Sequence, residues 1–160
     1  MVSVGTRSAG RAGAGDGDMT DAVEFARAVH PARAGETKRM RDEARKWLAG
    51  LELDQDARER VLIAVSEAVE NAVEHAYPEG HAEGTVELTL WCEEDSVNVR
   101  VTDNGTWAEG SEPAAYGSHA ARGRGIVLMQ RSVDSVAIRH TQSGTTVALR
   151  QHRAPELSPE

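Results

Sequence analysis

The sequence predicts an α+β domain, a two-layer sandwich in which a mixed, mainly antiparallel sheet is covered on one face by helices. Two observations predict it. Val86, Leu88, Leu90 and Cys92 alternate with Glu87, Thr89 and Trp91, and Val97, Val99 and Val101 alternate with Asn98, Arg100 and Thr102. Joined by the turn Glu93-Glu94-Asp95-Ser96, they form a hairpin with one apolar face, which needs a cover. Two runs at helical spacing supply it: Met40, Ala44, Trp47, Leu48 and Leu51, then Leu62, Val65, Val69, Val73 and Ala76.

Residues 1–20, rich in Gly, Ala and Ser, read as a disordered tail, 21–152 as the folded domain and 153–160 as a C-terminal tail. Within the domain, a strand is expected around Ala22 to Val29, with Val23, Phe25 and Val29 apolar and Pro31 ending it. The first helix spans about Ala34 to Leu51. Its outer side carries Lys38, Arg39, Arg41, Arg45 and Lys46, a basic exception in an acidic chain that reads as a solvated face or a docking surface. The second helix starts near Asp54 to Asp56, where Asp can cap it, and ends before Pro78. After the hairpin comes a long, small, polar stretch, Thr106 to Ala121, of the kind that forms a lid. An apolar helix follows Arg122-Gly123-Arg124-Gly125. Two strands close the domain, about Ser135 to Thr141 and Thr145 to Gln151, with Ser143-Gly144 at the turn.

The net charge of −8 argues against a general nucleic-acid or anionic-membrane surface and is compatible with basic protein partners. Cys92 is the single cysteine, so no intramolecular disulfide forms, and its alternating context reads as core filler. Neither a bilayer-spanning apolar run nor a signal-peptide core is expected, which makes a reducing cytoplasm the default. His75 and His81 lack the further ligands a zinc site needs.

The second helix carries the chemistry. Glu67, Asn71 and His75 fall four apart and stack on one face. Asn is a poor helix former, so its place one turn from a carboxylate invites a reason. A carboxylate can take a proton and an amide oxygen can ligate a hard cation; the alternative is a solvated acidic face, with Glu70 and Glu74 nearby. Asp103 continues the inward parity of the three valines, so it points into the helix–sheet layer and needs a donor there. The alternative is a turn Asp beside Asn104-Gly105. Gly123 and Gly125 before an apolar helix expose backbone N–H groups suited to phosphate. Thr145 faces the same way as Val147 and Leu149.

In this order, Glu67 with Asn71, Asp103-Asn104-Gly105, Gly123-Arg124-Gly125 and Gly144-Thr145-Thr146 resemble the motifs of the GHKL ATPase superfamily, which has the histidine-kinase-like ATPase fold. The wording Glu-Ala-Val-x-Asn-Ala-x-x-His-Ala-Tyr and Arg-Gly-Arg-Gly-Ile-x-Leu-Met is most similar to the anti-sigma factor serine/threonine kinases. The resemblance covers about Val23 to Gln151. It implies that Asn71 holds Mg²⁺ at the phosphates of ATP and that Glu67 takes the proton from an attacking hydroxyl. It further implies that Asp103 accepts from the adenine amino group, supported by Thr145, and that Gly105 lets the base approach. Gly123 and Gly125 would meet the phosphates, and Arg122 and Arg124 would add charge there. The implied partners are a sigma factor and an anti-anti-sigma protein that is phosphorylated on serine; homodimers are common in that family. A two-component histidine kinase is disfavoured, because no upstream helix pair carries a phospho-accepting His. The competing function is a nucleotide-dependent binding module without kinase activity, which has no use for a base at Glu67.

Overall fold

The computed structural model describes residues 2–3, 25–75, 84–105 and 120–153. Along them run β1 (Val2–Ser3), β2 (Phe25–Pro31), α1 (Ala34–Ala49), α2 (Gln55–His75), β3 (Thr85–Glu93), β4 (Ser96–Asp103), α3 (Ala120–Ser132), β5 (Ser135–Thr141) and β6 (Gly144–His152). The strands form one sheet in the order β1-β2-β3-β4-β6-β5, and every pairing is antiparallel. α2 packs across β3, β4 and β6, with α1 and α3 against it. This is the expected two-layer sandwich.

The β3–β4 register pairs Leu88 with Val101 and Leu90 with Val99, so the two apolar rows lie side by side, fully buried. Met40, Leu48, Val61, Val65, Val69 and Met129 close the core from the helices. α2 begins where a cap was expected: Asp54 Oδ1 accepts the Ala57 N–H at 2.8 Å. The basic side of α1 is largely tied to its own and the neighbouring helix, through Arg39 with Glu36, Arg45 with Asp42 and Arg41 with Glu70. Each pair keeps at least one partner open to solvent and is worth little energetically.

In three places the structure adds to or departs from what the sequence predicts. The buried face of α2 is Ala57, Val61, Ala64, Val65, Ala68, Val69 and Ala72, while Leu62 and Val73 are only half-buried. The alanines give a weak apolar signal because they are small, yet smallness is what lets the helix lie close to the sheet. In β2 the inward residues are Ala26, Ala28 and His30, which pair with Leu90, Leu88 and Val86. Phe25 and Val29 therefore lie on the opposite face, since neighbouring strands share parity across a sheet. Third, α3 begins at Ala120, so Gly123, Arg124 and Gly125 lie inside the helix rather than before it. β1 adds a two-residue strand within the stretch expected to be a tail. The lid expected at 106–121 falls mostly outside the described residues. Among the described residues, no helix is long and apolar enough to cross a membrane.

Candidate functional site

The face of α2 turned from the sheet meets α3. Glu67 and Asn71, one turn apart and half-buried, lie directly against Gly125. A β-carbon placed on Gly125 would sit 2.8 Å from Glu67 Oε2 and 3.5 Å from Asn71 Nδ2. The glycine is therefore a matter of space: it lets one helix approach the other's carboxylate and amide. Its N–H lies past the first four helical positions, so it is committed to the helix ladder, unlike the free donor read from the sequence. Neither Glu67 nor Asn71 has a side-chain hydrogen bond to another described residue. Partial burial first, and the charges of Glu70 and Glu74 second, raise the pKa of Glu67. A carboxylate that holds its proton more readily than usual is suited to taking one from a hydroxyl.

The second group of residues stands at the ends of β4 and β6. Asp103 is buried, as its parity required. The chain supplies its donors: Gly105 N–H and Thr145 N–H both reach Oδ1 at 3.1 Å. The Asx turn onto Gly105 and the inward placement, read as alternatives from the sequence, coexist. Both bonds fall on Oδ1, and among the described residues none donates a hydrogen bond to Oδ2. Burial raises the pKa of Asp103, opposed by the two backbone N–H groups and by His140. Asn104 turns aside, its Oδ1 accepting the Thr85 N–H at 2.9 Å. Gly144, with φ +140°, packs on this group; a β-carbon there would lie 1.9 Å from the Asp103 carbonyl oxygen.

Glu67, Asn71 and Gly125 thus form one group, and Asp103, Gly105 and Thr145 another. α2 packs on β4 and β6, the strands that carry Asp103 and Thr145. Gly123 lies in the first turn of α3, whose leading N–H groups have no helical partner. Arg124 is exposed. The side chain of Arg122 lies outside the description. Two contacts of this region are not evident from the sequence. Gly144 stands there as a turn residue and as the first of the Gly144-Thr145-Thr146 motif, not as a packing contact of Asp103. His140 was not singled out, although the Ser143-Gly144 turn sets a register that pairs it with Thr145.

Among the described residues, no three His, Cys, Asp or Glu side chains converge. One amide oxygen does fit Mg²⁺, which keeps waters and takes substrate phosphates as its other ligands. Asp103 Oδ2, which accepts from none of the described residues, likewise fits a base that presents an amino group.

Residues 30–151 match the histidine kinase-like ATPase domain family. No curated protein sequence matches. Among solved structures, the chain is similar to the RsbU and RsbW domains of Rv1364c from Mycobacterium tuberculosis, at 23% identity, 85% coverage of this chain and a TM-score of 0.62. It spans 34% of that chain. It is also similar to the histidine kinase domain of a blue-light activated histidine kinase from Erythrobacter litoralis EL346, at 17% identity, 76% and 64% coverage and a TM-score of 0.49. The catalytic domain of the histidine kinase ThkA gives 13% identity, 81% and 99% coverage and the same TM-score of 0.49. At its identity, the first likeness speaks for a shared fold.

Proposed function

The chain belongs to the histidine kinase-like ATPase domain family, and from that premise we propose that it is an ATP- and Mg²⁺-dependent protein serine/threonine kinase. It binds a sigma factor and phosphorylates a small anti-anti-sigma protein, and so controls release of the sigma factor. The observation that carries the reading is Glu67, a carboxylate with a raised pKa beside Asn71 under the glycine of α3. A site that only bound phosphates would gain nothing from a carboxylate there. The motif wording around Glu67 and Arg122 to Met129 supports a serine acceptor and a sigma-factor partner.

ATP supplies the transferable γ-phosphoryl group, and Mg²⁺ neutralises charge on the phosphates. The protein's part is positioning. Asn71 offers its amide oxygen to the metal. Asp103, fixed through Oδ1, presents Oδ2 to the amino group of adenine, and Gly105 leaves room for the base. The opening turn of α3 presents backbone N–H groups to phosphate. Glu67 accepts the proton of the partner's hydroxyl as its oxygen bonds to phosphorus and ADP leaves.

The test is Glu67→Gln, which keeps shape and removes the base. Phosphotransfer from labelled ATP to the partner should fall about 10²–10⁴-fold, while nucleotide affinity and sigma-factor capture persist. Wild-type transfer rates in the variant would remove Glu67 as the base. No transfer by the unaltered protein to any anti-anti-sigma candidate would leave the nucleotide-dependent binding module.

A further inference from the structure

His140 stands opposite Thr145 across the β5–β6 hairpin, and its Nδ1 lies 2.9 Å from Thr145 Oγ1. Directly opposed residues share a face, and here it is the face of Val147 and Leu149, toward the helices. Thr145 in turn donates its N–H to Asp103 Oδ1. His140, Thr145 and Asp103 therefore form one row across β5, β6 and β4, with the exposed imidazole at the rim. A threonine hydroxyl holds one proton and two lone pairs. If Nδ1 carries a proton, Oγ1 accepts from it and the hydroxyl proton turns elsewhere. If Nδ1 is bare, the hydroxyl donates to it and only lone pairs face the site.

We propose that His140 is a positioning residue at the nucleobase end: Nδ1–H donates to Thr145 Oγ1, so that the hydroxyl proton is presented beside the acceptor Oδ2 of Asp103. The inference rests on the reading of Asp103 as the adenine contact. An acceptor next to a donor complements an amino group beside a bare ring nitrogen, which is the edge of adenine. It opposes a carbonyl beside a ring N–H, which is the edge of hypoxanthine and guanine. Sites built on such pairs reject the wrong partner because buried polar groups are then left unmatched.

The test measures ADP and IDP affinities by calorimetry for the full chain, His140→Phe, Thr145→Val and the double variant. The unaltered chain should prefer ADP. His140→Phe should lose about three- to tenfold of that preference, the worth of one neutral hydrogen bond. Thr145→Val should lose at least as much, and the double variant no more than Thr145→Val, because the histidine acts through the hydroxyl. His140→Asn, whose amide nitrogen can donate from nearly the place of Nδ1, should restore the preference. Nitrogen chemical shifts of the nucleotide-free chain should show Nδ1 protonated. Additive losses, equal losses for both nucleotides, or a bare Nδ1 would overturn the proposal. Equal binding of ADP and IDP by the unaltered chain would overturn it and leave the nucleotide site standing. Failure of that chain to bind either nucleotide would overturn both.

Discussion

Gly125 offers a sharp test of how α3 and α2 build the site, through Gly125→Ala. The residue has no positive φ, since Gly144 alone has one among the described residues. Its backbone therefore tolerates any L-residue, and alanine in a helix interior gains about 0.8–1 kcal/mol over glycine. Against this stands the new methyl, 2.8 Å from Glu67 Oε2. That distance is too short to persist, but the atom in the way is the free end of a flexible side chain. Swinging it aside costs about 0.5–1.5 kcal/mol if the rotamer is strained. The two terms nearly cancel, so stability should stay within about 1 kcal/mol and the melting temperature within a few degrees. Function should not be spared. The displaced atom is the proposed proton acceptor, and a misplacement of about 1 Å can cost about 10²-fold in rate. The assay pairs thermal melting with phosphotransfer, and ADP titration checks that the nucleotide still binds. A loss above about 2 kcal/mol would mean that Glu67 is held rigidly. Unchanged transfer with unchanged stability would mean that this contact does not position it.

Asp103→Asn keeps the Oδ1 acceptor for Gly105 and Thr145 but turns Oδ2 into a donor. Adenine-nucleotide affinity should fall about ten- to a hundredfold, the worth of about 1.5–3 kcal/mol, and unchanged affinity by calorimetry would refute the adenine assignment. Because the folded-state pKa of Asp103 is raised, its contribution to stability is present in acid and lost as pH rises through that value. The Asn variant lacks this loss, so its melting temperature should gain on the wild type from low pH to neutrality. As the proposed base Glu67 has to be ionised, and its pKa is raised, so the transfer rate should fall with acidification at a pH above the usual glutamate value of about 4.3. Parallel pH profiles for wild type and Glu67→Gln would assign that limb to another group. Gly144→Ala combines a positive φ with a clash against the Asp103 carbonyl and should cost about 3 kcal/mol or more, so a denaturant-midpoint change worth under about 1 kcal/mol would contradict the packing.

What the sequence reveals here follows a physical rule. The β3–β4 hairpin was legible because a sheet with one buried face repeats every two residues, and that parity also placed Asp103 inward. β2 offers no such row, because its inward positions are two alanines and a histidine, while Phe25 and Val29, the larger residues, lie on the other face. His30 can face inward because its two ring nitrogens meet Glu36 and Glu43 of α1, each at 2.9 Å. Only tertiary structure reveals that satisfaction. The start of α3 was misplaced for a related reason. A glycine pair reads locally as a helix break, yet at Gly125 the missing side chain is what α2 requires. Local signals thus located Glu67, Asn71 and Asp103, whose types are odd for their positions. They give Gly125 a different part, as a backbone donor, and give Gly144 and His140 no contact of their own, because what these residues touch is set by the fold. These residues look ordinary in sequence because the neighbour that each meets is set by the fold: Glu67 for Gly125, the backbone of Asp103 for Gly144, and the hydroxyl of Thr145 for His140.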